Sequence, residues 1–555
     1  MAKRRLILNE EDEAAVRMYG QGFGDCFLLA LPRAVKDGGA PDRSNPVYVV
    51  IDCGVFYRTP RQKDRMVQVT KSVKGATGGV IDLLVATHEH YDHMCGFEDA
   101  KEDWKEIEVR QIWLAWTEDG NNPFTKRYDR EKEALALQLT HALQIAEFYA
   151  DQDDSLMAAM QRALALAAFG GESFPILSAE ENEGELVDDE VSLPADHPFG
   201  APSNVSKLPN DVLGDFAIDP TKRFAAGELA ITTAFCEPGQ IRRLPESEVD
   251  AYVLGPPTDA AFLGLSFKED EVYADETGAA QLRAAAIQGA AGVAFASAQA
   301  AQQGFALALE RYANTVVQDK DAGKLDTGAP FGEGHSVHFQ QAREEEFFQE
   351  HYFDLPPELQ ITTDWLQGAG SLALQLDELT NNTSLVLAFR LSDGRFLLFV
   401  GDAQVGNWLS WHTIEPDRWR RPDGGAINFR PTAREILENT VLYKVGHHGS
   451  HNATLATNGL EMMGDGFVAF VPSSREIPQA ERKEPWMIPF EPLMNRLRTK
   501  TNGQIILPHE APDALGAGMQ IETAGSDLPA MRRDGKVIES PVPLWRQVRI
   551  QRAAL

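Results

Sequence analysis

The sequence predicts an α/β (α+β) fold whose strands lie in two stretches of the chain, on either side of a helical middle. Short runs of apolar and β-branched residues, such as 47–51 and 80–86, occur near the N-terminus and again from about residue 384. Such runs are typical of strands. Between the two stretches, Leu135, Leu139 and Leu143 recur at the spacing of one helix face.

The remaining elements follow from the same patterns. A glycine-rich turn separates the predicted strands 16–19 and 26–31, and the turn Ser392-Asp393-Gly394 predicts a hairpin between 384–390 and 395–400. Further strands are predicted at 230–235, 251–254, 441–445, 467–471 and 504–507, and helices at 131–169, 281–317 and 489–499.

Charge is distributed unevenly along the chain. The 555 residues allow several domains or one domain with large insertions, and 43% of them are apolar, which is enough for a sizeable core. The net charge is −31, and residues 111–380, with 16 basic and 46 acidic residues, carry −30 of it. An overall charge of this sign argues against a passive nucleic-acid-binding protein.

The cysteines and the N-terminus bear on the cellular compartment. Four cysteines without a C-x-x-C pair exclude a disulfide scaffold and favour a reducing environment. The basic residues at 3–5 precede no long apolar run, and the low-charge stretch 284–303 is too rich in Ala, Gln and Gly to suit a bilayer. We therefore expect a cytoplasmic protein with no membrane partner.

The most informative segment is a cluster of histidines that directly follows the predicted strand 80–86. His88, His90, Asp92 and His93 fall within six residues, although the whole chain has only 13 histidines. Imidazole and carboxylate are the usual ligands of zinc and similar ions. Alternate residues of an extended segment point the same way, which suits a pair such as His88 and His90.

Two later segments add side chains of the same kind. Asp402 follows the predicted strand 395–400, and His447 and His448 follow the strand 441–445. A strand end holds side chains on a rigid edge, so all three segments together predict a metal centre. From the residues alone, either His447 or His448 could be the ligand.

These motifs resemble the metallo-β-lactamase fold superfamily of metallohydrolases, whose H-x-H-x-D-H signature is matched by residues 88–93. Within it, the chain is most similar to the branch that contains the hydrolase domain of the ComEC/Rec2 competence proteins. The shared elements are the glycine-rich turn 19–25, I-D-x-G at 51–54, N-N-x-S-L-V-L at 381–387, G-D-A at 401–403, and K-V-P-H-H-G-S at 444–450 with Gly446 in place of proline.

The resemblance implies a four-layer αββα metallo-β-lactamase sandwich with two large, mainly helical acidic insertions. The implied domains are the first half of the core (14–118), a helical and acidic insertion (119–225), core strands (226–257), an Ala-rich helical insertion (258–375), the second half of the core (376–510) and a C-terminal extension (511–555).

The resemblance also implies a site for two divalent metal ions, with zinc preferred and manganese as the alternative. His88 and His90 would hold one ion, Asp92, His93 and His448 would hold the other, and Asp402 would bridge them. Asp92 and His447 are assigned to catalysis, His447 as an acid that faces the substrate. Residues expected to support ligands or contact substrate are Asp25, Asp52, Asn381, Asn382, Ser384, Lys444 and Ser450.

Three functions remain open at this point. The first is hydrolysis of a phosphodiester by metal-activated hydroxide, as in a phosphodiesterase or nuclease. The second is hydrolysis of another ester, lactone, thioester or phosphocholine-type substrate, because this fold supports many reactions. The third is a non-catalytic metal-binding interaction protein. The acidic insertions, 119–375, could bind a protein partner.

Overall fold

A computed structural model describes two large β-sheets, the helices that pack on them, and two two-stranded sheets, β4-β6 and β17-β18 in the numbering given below. The described residues are 5–35, 39–56, 59, 61–128, 132, 232–265, 267–273, 349, 379–473, 488–528, 531–533, 536–539 and 542–553. All strands and helices named below belong to one compact unit.

The described strands are numbered in chain order. They are β1 (Asp12–Tyr19), β2 (Phe27–Arg33), β3 (Asp42–Ile51), β4 (Val80–Ile81), β5 (Leu83–Val85), β6 (Glu108–Val109), β7 (Gln111–Ala115), β8 (Thr232–Cys236), β9 (Ile241–Arg243), β10 (Asp250–Gly255), β11 (Val386–Arg390), β12 (Phe396–Phe399), β13 (Thr440–Lys444), β14 (Val468–Phe470), β15 (Ile505–Ile506), β16 (Met519–Ala524), β17 (Met531–Arg533), β18 (Lys536–Glu539) and β19 (Trp545–Gln551).

The described α-helices are short, apart from the first and the last. They are α1 (Gln62–Thr77), α2 (Tyr91–Asp99), α3 (Lys101–Trp104), α4 (Ala260–Leu263), α5 (Val405–Trp411), α6 (Ala433–Glu438) and α7 (Glu491–Lys500). None of the helices in the described ranges combines the length and the apolar character that a membrane crossing would need.

The two large sheets each change from antiparallel to parallel pairing. The first has the strand order β16-β19-β1-β2-β3-β5-β7-β8 and is parallel from β3 to β8. The second has the order β15-β14-β13-β12-β11-β10-β9 and is parallel from β15 to β12. Parallel neighbours end at the same edge of a sheet, so the residues that follow β12 and β13 emerge side by side.

The sheets face each other across one apolar core. Val16 and Leu29 of the first sheet and Leu387 and Phe470 of the second are fully buried in this layer. Phe27 and Phe399 meet edge to face across it, with ring centroids 5.5 Å apart. Because strand side chains alternate between faces, the opposite face of each sheet needs its own cover.

Helices provide that cover on both sides. Met66, Val69 and Val73 of α1 pack against the outer face of the first sheet, together with Met94 and other residues of α2. On the second sheet, Trp408 of α5 meets Tyr443 of β13 with ring centroids 6.0 Å apart. The layers are therefore helix, sheet, sheet and helix, and the predicted α+β sandwich is confirmed.

Most of the predicted strands and the hairpin at 392–394 are present, with shifted ends. The run 80–86 divides into β4 and β5 around Asp82, a fully buried carboxylate that accepts a hydrogen bond from the Tyr48 amide at 2.9 Å. Residues 511–555, treated above as a C-terminal extension, contribute β16 and β19 to the first sheet. The two predicted insertions, with their helices at 131–169 and 281–317, lie almost wholly outside the described residues.

Candidate metal centre

The segment His88–His93 begins shortly after β5 and continues into the first turn of α2, at the edge where the parallel strands of the first sheet end. His90 has extended backbone angles and precedes the helix, and Asp92 lies in the first turn of α2, where a carboxylate is favoured by the helix dipole. The neighbouring turn comes very close, because a Cβ on Gly54 would overlap the carbonyl of Asp92. Glycine at position 54 is therefore what lets this turn pack against the start of α2.

Asp402 and the two adjacent histidines reach the same place from the second sheet. Asp402 follows β12, and His447 and His448 follow β13. Both histidines have left-handed backbone angles, with φ of 41° for His447 and 53° for His448. Non-glycine residues rarely adopt this conformation, which occurs preferentially at functional sites where the surroundings enforce it. It presents two successive imidazoles in different directions.

Four buried side chains form a tight donor group. One atom from each of Asp25, His93, Asp402 and His448 lies within 4.8 Å of the other three. Asp402 Oδ2 is 3.1 Å from His93 Nε2 and 3.7 Å from His448 Nε2. Asp92 joins this group, because its Oδ2 lies 2.8 Å from His448 Nε2 and 3.9 Å from His93 Nε2.

His88 and His90 form a second donor set beside the first. His88 Nε2 lies 3.1 Å from His90 Nδ1, so that two ring nitrogens converge. The His88 ring is 4.2 Å from that of His93, centroid to centroid. The structure thus brings together all six residues expected to hold metal, although it adds Asp25, which the sequence assigned to a supporting role.

Asp52 orients one of the candidate ligands. Its Oδ2 lies 2.8 Å from His93 Nδ1 and also accepts the Thr87 hydroxyl at 2.7 Å. A carboxylate on the far nitrogen fixes the ring and leaves Nε2 to face the donor group. The Pro472 carbonyl plays the same part for His448, at 2.8 Å from its Nδ1.

Lys444 lies inside the cluster and not on a substrate surface. Its side chain is 1% exposed, and Nζ lies 2.5 Å from Asp25 Oδ2 and 3.0 Å from Asp402 Oδ1. The ammonium also donates to the Gly401 carbonyl at 2.6 Å. With these partners, Lys444 holds two carboxylates in place, and the expected contact to a substrate phosphate has no donor left to make it.

His447 lies outside the donor group. Its backbone amide donates to Asp402 Oδ1 at 3.0 Å, while its ring Nδ1 is 3.4 Å from Gln404 Nε2. Burial lowers the pKa of His447 to about 4, so the ring is neutral near pH 7. The geometry therefore favours His448 as the ligand and leaves the His447 ring beside the cluster, where a neutral imidazole can donate or accept a hydrogen bond.

The other expected support residues are buried and already have partners. Asn382 Nδ2 donates to the carbonyls of Leu263 and Leu265, and the Ser384 hydroxyl accepts the Asp402 amide at 3.0 Å. The Ser450 hydroxyl donates to Asn452 at 2.8 Å, and Asn381 is fully buried. They hold the loops around the cluster.

The pKa values of the four histidines in and beside the donor group diverge. Burial lowers the pKa of His90 to about 3 and, together with the neighbouring rings, lowers that of His88 well below its ordinary value. Burial has the same effect on His93 and His448, but nearby carboxylates, Asp402 foremost, outweigh it and raise both pKa values. Without a cation, the carboxylates therefore favour the protonated form of both rings.

This arrangement fits divalent cations. When the imidazoles are neutral, as metal ligation requires, the carboxylates of Asp25, Asp52, Asp92 and Asp402 face the single ammonium of Lys444. Four negative charges and one positive charge leave a net charge of −3 on these buried side chains. Among the described atoms, Asp25 Oδ1 and Asp92 Oδ1 are buried and have no hydrogen-bond partner. Such atoms are costly unless a cation or donor meets them.

Some contributors carried no recognised signal in the sequence. The Phe23 ring lies 3.8 Å from the His448 ring, centroid to centroid, and fixes its plane. Gln404 and Thr87 contact His447 and Asp52 respectively. Phe23 lies inside the glycine-rich turn 19–25, Gln404 directly follows the motif 401–403, and Thr87 directly precedes the motif 88–93. This proximity to a motif was the only indication of their role that the sequence offered.

Comparison with known proteins agrees with this geometry. The family model of the metallo-beta-lactamase superfamily matches residues 47–137, which include the second half of β3, all of β5 and the whole His88–His93 segment. No curated protein and no solved structure matches the chain. Residues 47–137 therefore carry a metallo-beta-lactamase superfamily domain, and with the buried histidine and aspartate cluster this indicates a metal-dependent hydrolase. The narrower resemblance to the ComEC/Rec2 branch stays a prediction.

Proposed function

We propose that the protein is a phosphodiesterase or nuclease with two divalent metal ions at the cluster. The observation that carries this proposal is the convergence of two donor sets from both sheets, all buried, with a net negative charge that divalent cations would offset when the imidazoles are neutral. Bound there, two such ions would activate a water molecule and offset the negative charge that develops on the phosphoryl oxygens.

The side chains have separate tasks in this proposal. His88 and His90 would hold one ion, His93, His448 and Asp92 would hold the other, and Asp402 would contribute its carboxylate to both. Asp52 keeps Nε2 of His93 directed at the cluster. Lys444 limits the excess negative charge when cations are absent and keeps the Asp402 carboxylate in place.

His447 supplies a hydrogen bond to the substrate. Gln404 Nε2 is a donor and faces Nδ1 of His447, which places the ring proton on Nε2. The neutral ring then offers this N–H to an oxygen of the substrate or of the leaving group. Because burial holds its pKa to about 4, His447 acts in the neutral form and not as an imidazolium.

The substrate class rests on the motifs shared with the ComEC/Rec2 branch. Lys444, Asn382 and Ser450 have partners inside the fold, so a bound phosphodiester would be held by the cations and by His447. We therefore expect that removal of the metal ions also abolishes substrate binding.

A substrate panel tests the proposal. Purified protein is assayed with zinc or manganese on single- and double-stranded DNA, RNA, bis-p-nitrophenyl phosphate, a lactone and a thioester. We expect turnover of at least one phosphodiester and none after chelation. Turnover of the lactone or thioester alone would contradict the substrate class.

A pair of adjacent variants provides the matched control. His448→Ala should lose both metal and activity, whereas His447→Ala should keep the metal and lose turnover by about 10²–10³-fold, the usual range for loss of one hydrogen-bond donor to developing negative charge. Loss of metal in His447→Ala with retention in His448→Ala would show that the two roles are exchanged.

A further inference from the structure

Asn382 links the start of α5 to a loop that is distant in sequence. Its side chain is fully buried. The side-chain nitrogen Nδ2 donates to the carbonyls of Leu263 and Leu265, at 3.0 and 3.1 Å, where α4 ends. The side-chain oxygen Oδ1 accepts hydrogen bonds from the backbone amides of Gln404 and Asn407, at 3.2 and 3.3 Å.

These four contacts use the whole hydrogen-bonding capacity of the Asn382 side chain. A side-chain amide has two donor hydrogens and one oxygen with two lone pairs. All of them are engaged inside the fold, so the contact to a substrate that the sequence allowed for Asn382 has no group left to make it. Asn382 therefore influences the site through the residues that it holds.

The start of α5 is fixed by the same loop. The Gly406 amide donates to the Leu265 carbonyl at 2.8 Å. A Cβ on Gly406 would overlap the Phe262 carbonyl, so glycine at this position lets α5 and the loop come this close. The packing leaves little freedom to Gln404, the residue that directly precedes α5.

Gln404 passes this constraint on to His447. The Gln404 side chain is buried, and its Nε2 faces His447 Nδ1 at 3.4 Å. This distance is near the upper limit of a hydrogen bond, so a displacement of Gln404 by about 0.5 Å would break the contact. A neutral imidazole that loses its partner at one nitrogen is no longer confined to one tautomer.

We propose that Asn382 is a positioning residue for the reaction and that it acts on His447 through Gln404. This inference rests on the proposed function, in which the Nε2–H of His447 is offered to the substrate. Asn382 holds the backbone of Gln404, Gln404 holds Nδ1 of His447, and the ring proton stays on Nε2. Loss of the Asn382 side chain therefore lowers turnover without removing a metal ligand.

The tautomer of His447 is measured by ¹⁵N NMR of the full-length protein labelled at histidine. The protein is dialysed against a chelator, so that the signal depends neither on metal nor on activity, and His447→Ala assigns the resonances. We expect the ring proton on Nε2 in the wild-type protein and a mixture of both tautomers in Asn382→Ala and in Gln404→Met. Methionine keeps the length of the Gln404 side chain but has no donor.

Turnover of bis-p-nitrophenyl phosphate by the zinc-loaded protein tests the route of action. Asn382→Ala and Gln404→Met should each lower kcat about 10–100-fold at unchanged metal content, as for other groups that orient a functional side chain. The double variant should lose no more than the more affected single variant, because both substitutions break the same chain of contacts. Asn382→Asp should recover most of the loss, since burial keeps its carboxyl protonated and one oxygen still accepts the Gln404 and Asn407 amides.

Gln504→Met is the matched control. Gln504 is also a buried glutamine, and its Nε2 donates to the Gly466 carbonyl at 2.7 Å. It directly precedes β15, at the edge of the second sheet opposite the metal centre. Its replacement should leave the His447 tautomer and kcat unchanged.

The proposal is overturned if the His447 tautomer is the same in Gln404→Met as in the wild-type protein, and this result decides the question even where Asn382→Ala does not fold. It is also overturned if the losses of kcat multiply in the double variant, or if Asn382→Asp is as impaired as Asn382→Ala. A protein that hydrolyses no phosphodiester, but whose His447 tautomer follows Gln404 and Asn382 as expected, would support the positioning and contradict the proposed function alone.

Discussion

Replacing Lys444 with methionine should destabilise the metal-free protein far more than the metal-loaded one. The ammonium lies 2.5 Å from Asp25 Oδ2 and 3.0 Å from Asp402 Oδ1. At an effective dielectric constant of about 20, the gross Coulomb terms are about 7 and 6 kcal/mol. Most of this is offset by desolvation, and removing one partner of a buried ion pair costs about 3–5 kcal/mol net.

Cations should reduce this cost because they neutralise the same carboxylates. For a compact unit of about 380 residues, a loss of about 3–5 kcal/mol corresponds to a loss of roughly 4–6 °C in Tm. We expect that loss in the presence of a chelator and a much smaller one with saturating zinc. By reciprocity, zinc should also bind Lys444→Met more tightly than the wild-type protein.

Thermal unfolding with and without zinc measures this difference, and Lys500→Met is the matched control. Lys500 is also buried and donates to the Met463 carbonyl at 2.6 Å, but its carboxylate partner, Asp465, is exposed. Lys500→Met should therefore lower Tm less than Lys444→Met does, and the change in Tm should be the same with and without zinc. The reasoning is refuted if Tm falls equally in the two variants in the presence of chelator, or if zinc does not reduce the fall in Tm of Lys444→Met.

Two further predictions concern the affinity for metal. Asp52→Asn removes the carboxylate that contacts His93 Nδ1 and should weaken zinc binding about 10–100-fold. Competition with a chelator measures this affinity, and an unchanged affinity would show that Asp52 does not orient His93. Carboxylates raise the pKa values of His93 and His448, so each ring must lose a proton before it binds a cation. Zinc affinity should therefore rise with pH between 6 and 8, by up to about tenfold per pH unit for each proton released, and an affinity that is flat or falls would contradict this.

The residues expected at the metal centre could be found from the sequence because each motif is short and lies at the end of an apolar strand. His88, His90 and His93 occupy six consecutive residues with Asp92, and Asp402 follows a run that is fully buried in β12. The ends of these strands could be located from the composition of the chain. We could therefore infer that the side chains that follow the strands meet at one edge.

The partners of Lys444 could not be found in this way. Lys444 meets Asp402 because β13 and β12 are parallel neighbours in the second sheet, whereas Asp25 comes from the first sheet and lies 2.5 Å from Lys444 Nζ only because the two sheets face each other. A lysine inside a motif therefore suggested a substrate contact. The choice between His447 and His448 likewise depends on two left-handed residues, which the sequence does not reveal.

The strands β16 and β19 were missed for a different reason. In β19 only Val548 and Ile550 are apolar at alternate positions, and the intervening Gln547 and Arg549 are buried as well. The fold satisfies them internally, since Gln547 accepts from Arg17 at 2.9 Å and Arg549 pairs with Asp12 at 2.6 Å. Polar residues at core positions conceal a strand from any pattern that equates burial with apolar character.

Metal analysis of the wild-type protein and Asp402→Ala tests the central claim most directly. The carboxylate of Asp402 lies between His93 and His448 and is held by Lys444. After loading with zinc and removal of excess ion, we expect up to two ions per chain in the wild-type protein, and lower occupancy with loss of hydrolysis in Asp402→Ala. A wild-type protein that retains no divalent ion, or an Asp402→Ala protein with full metal content and activity, would contradict the proposed centre.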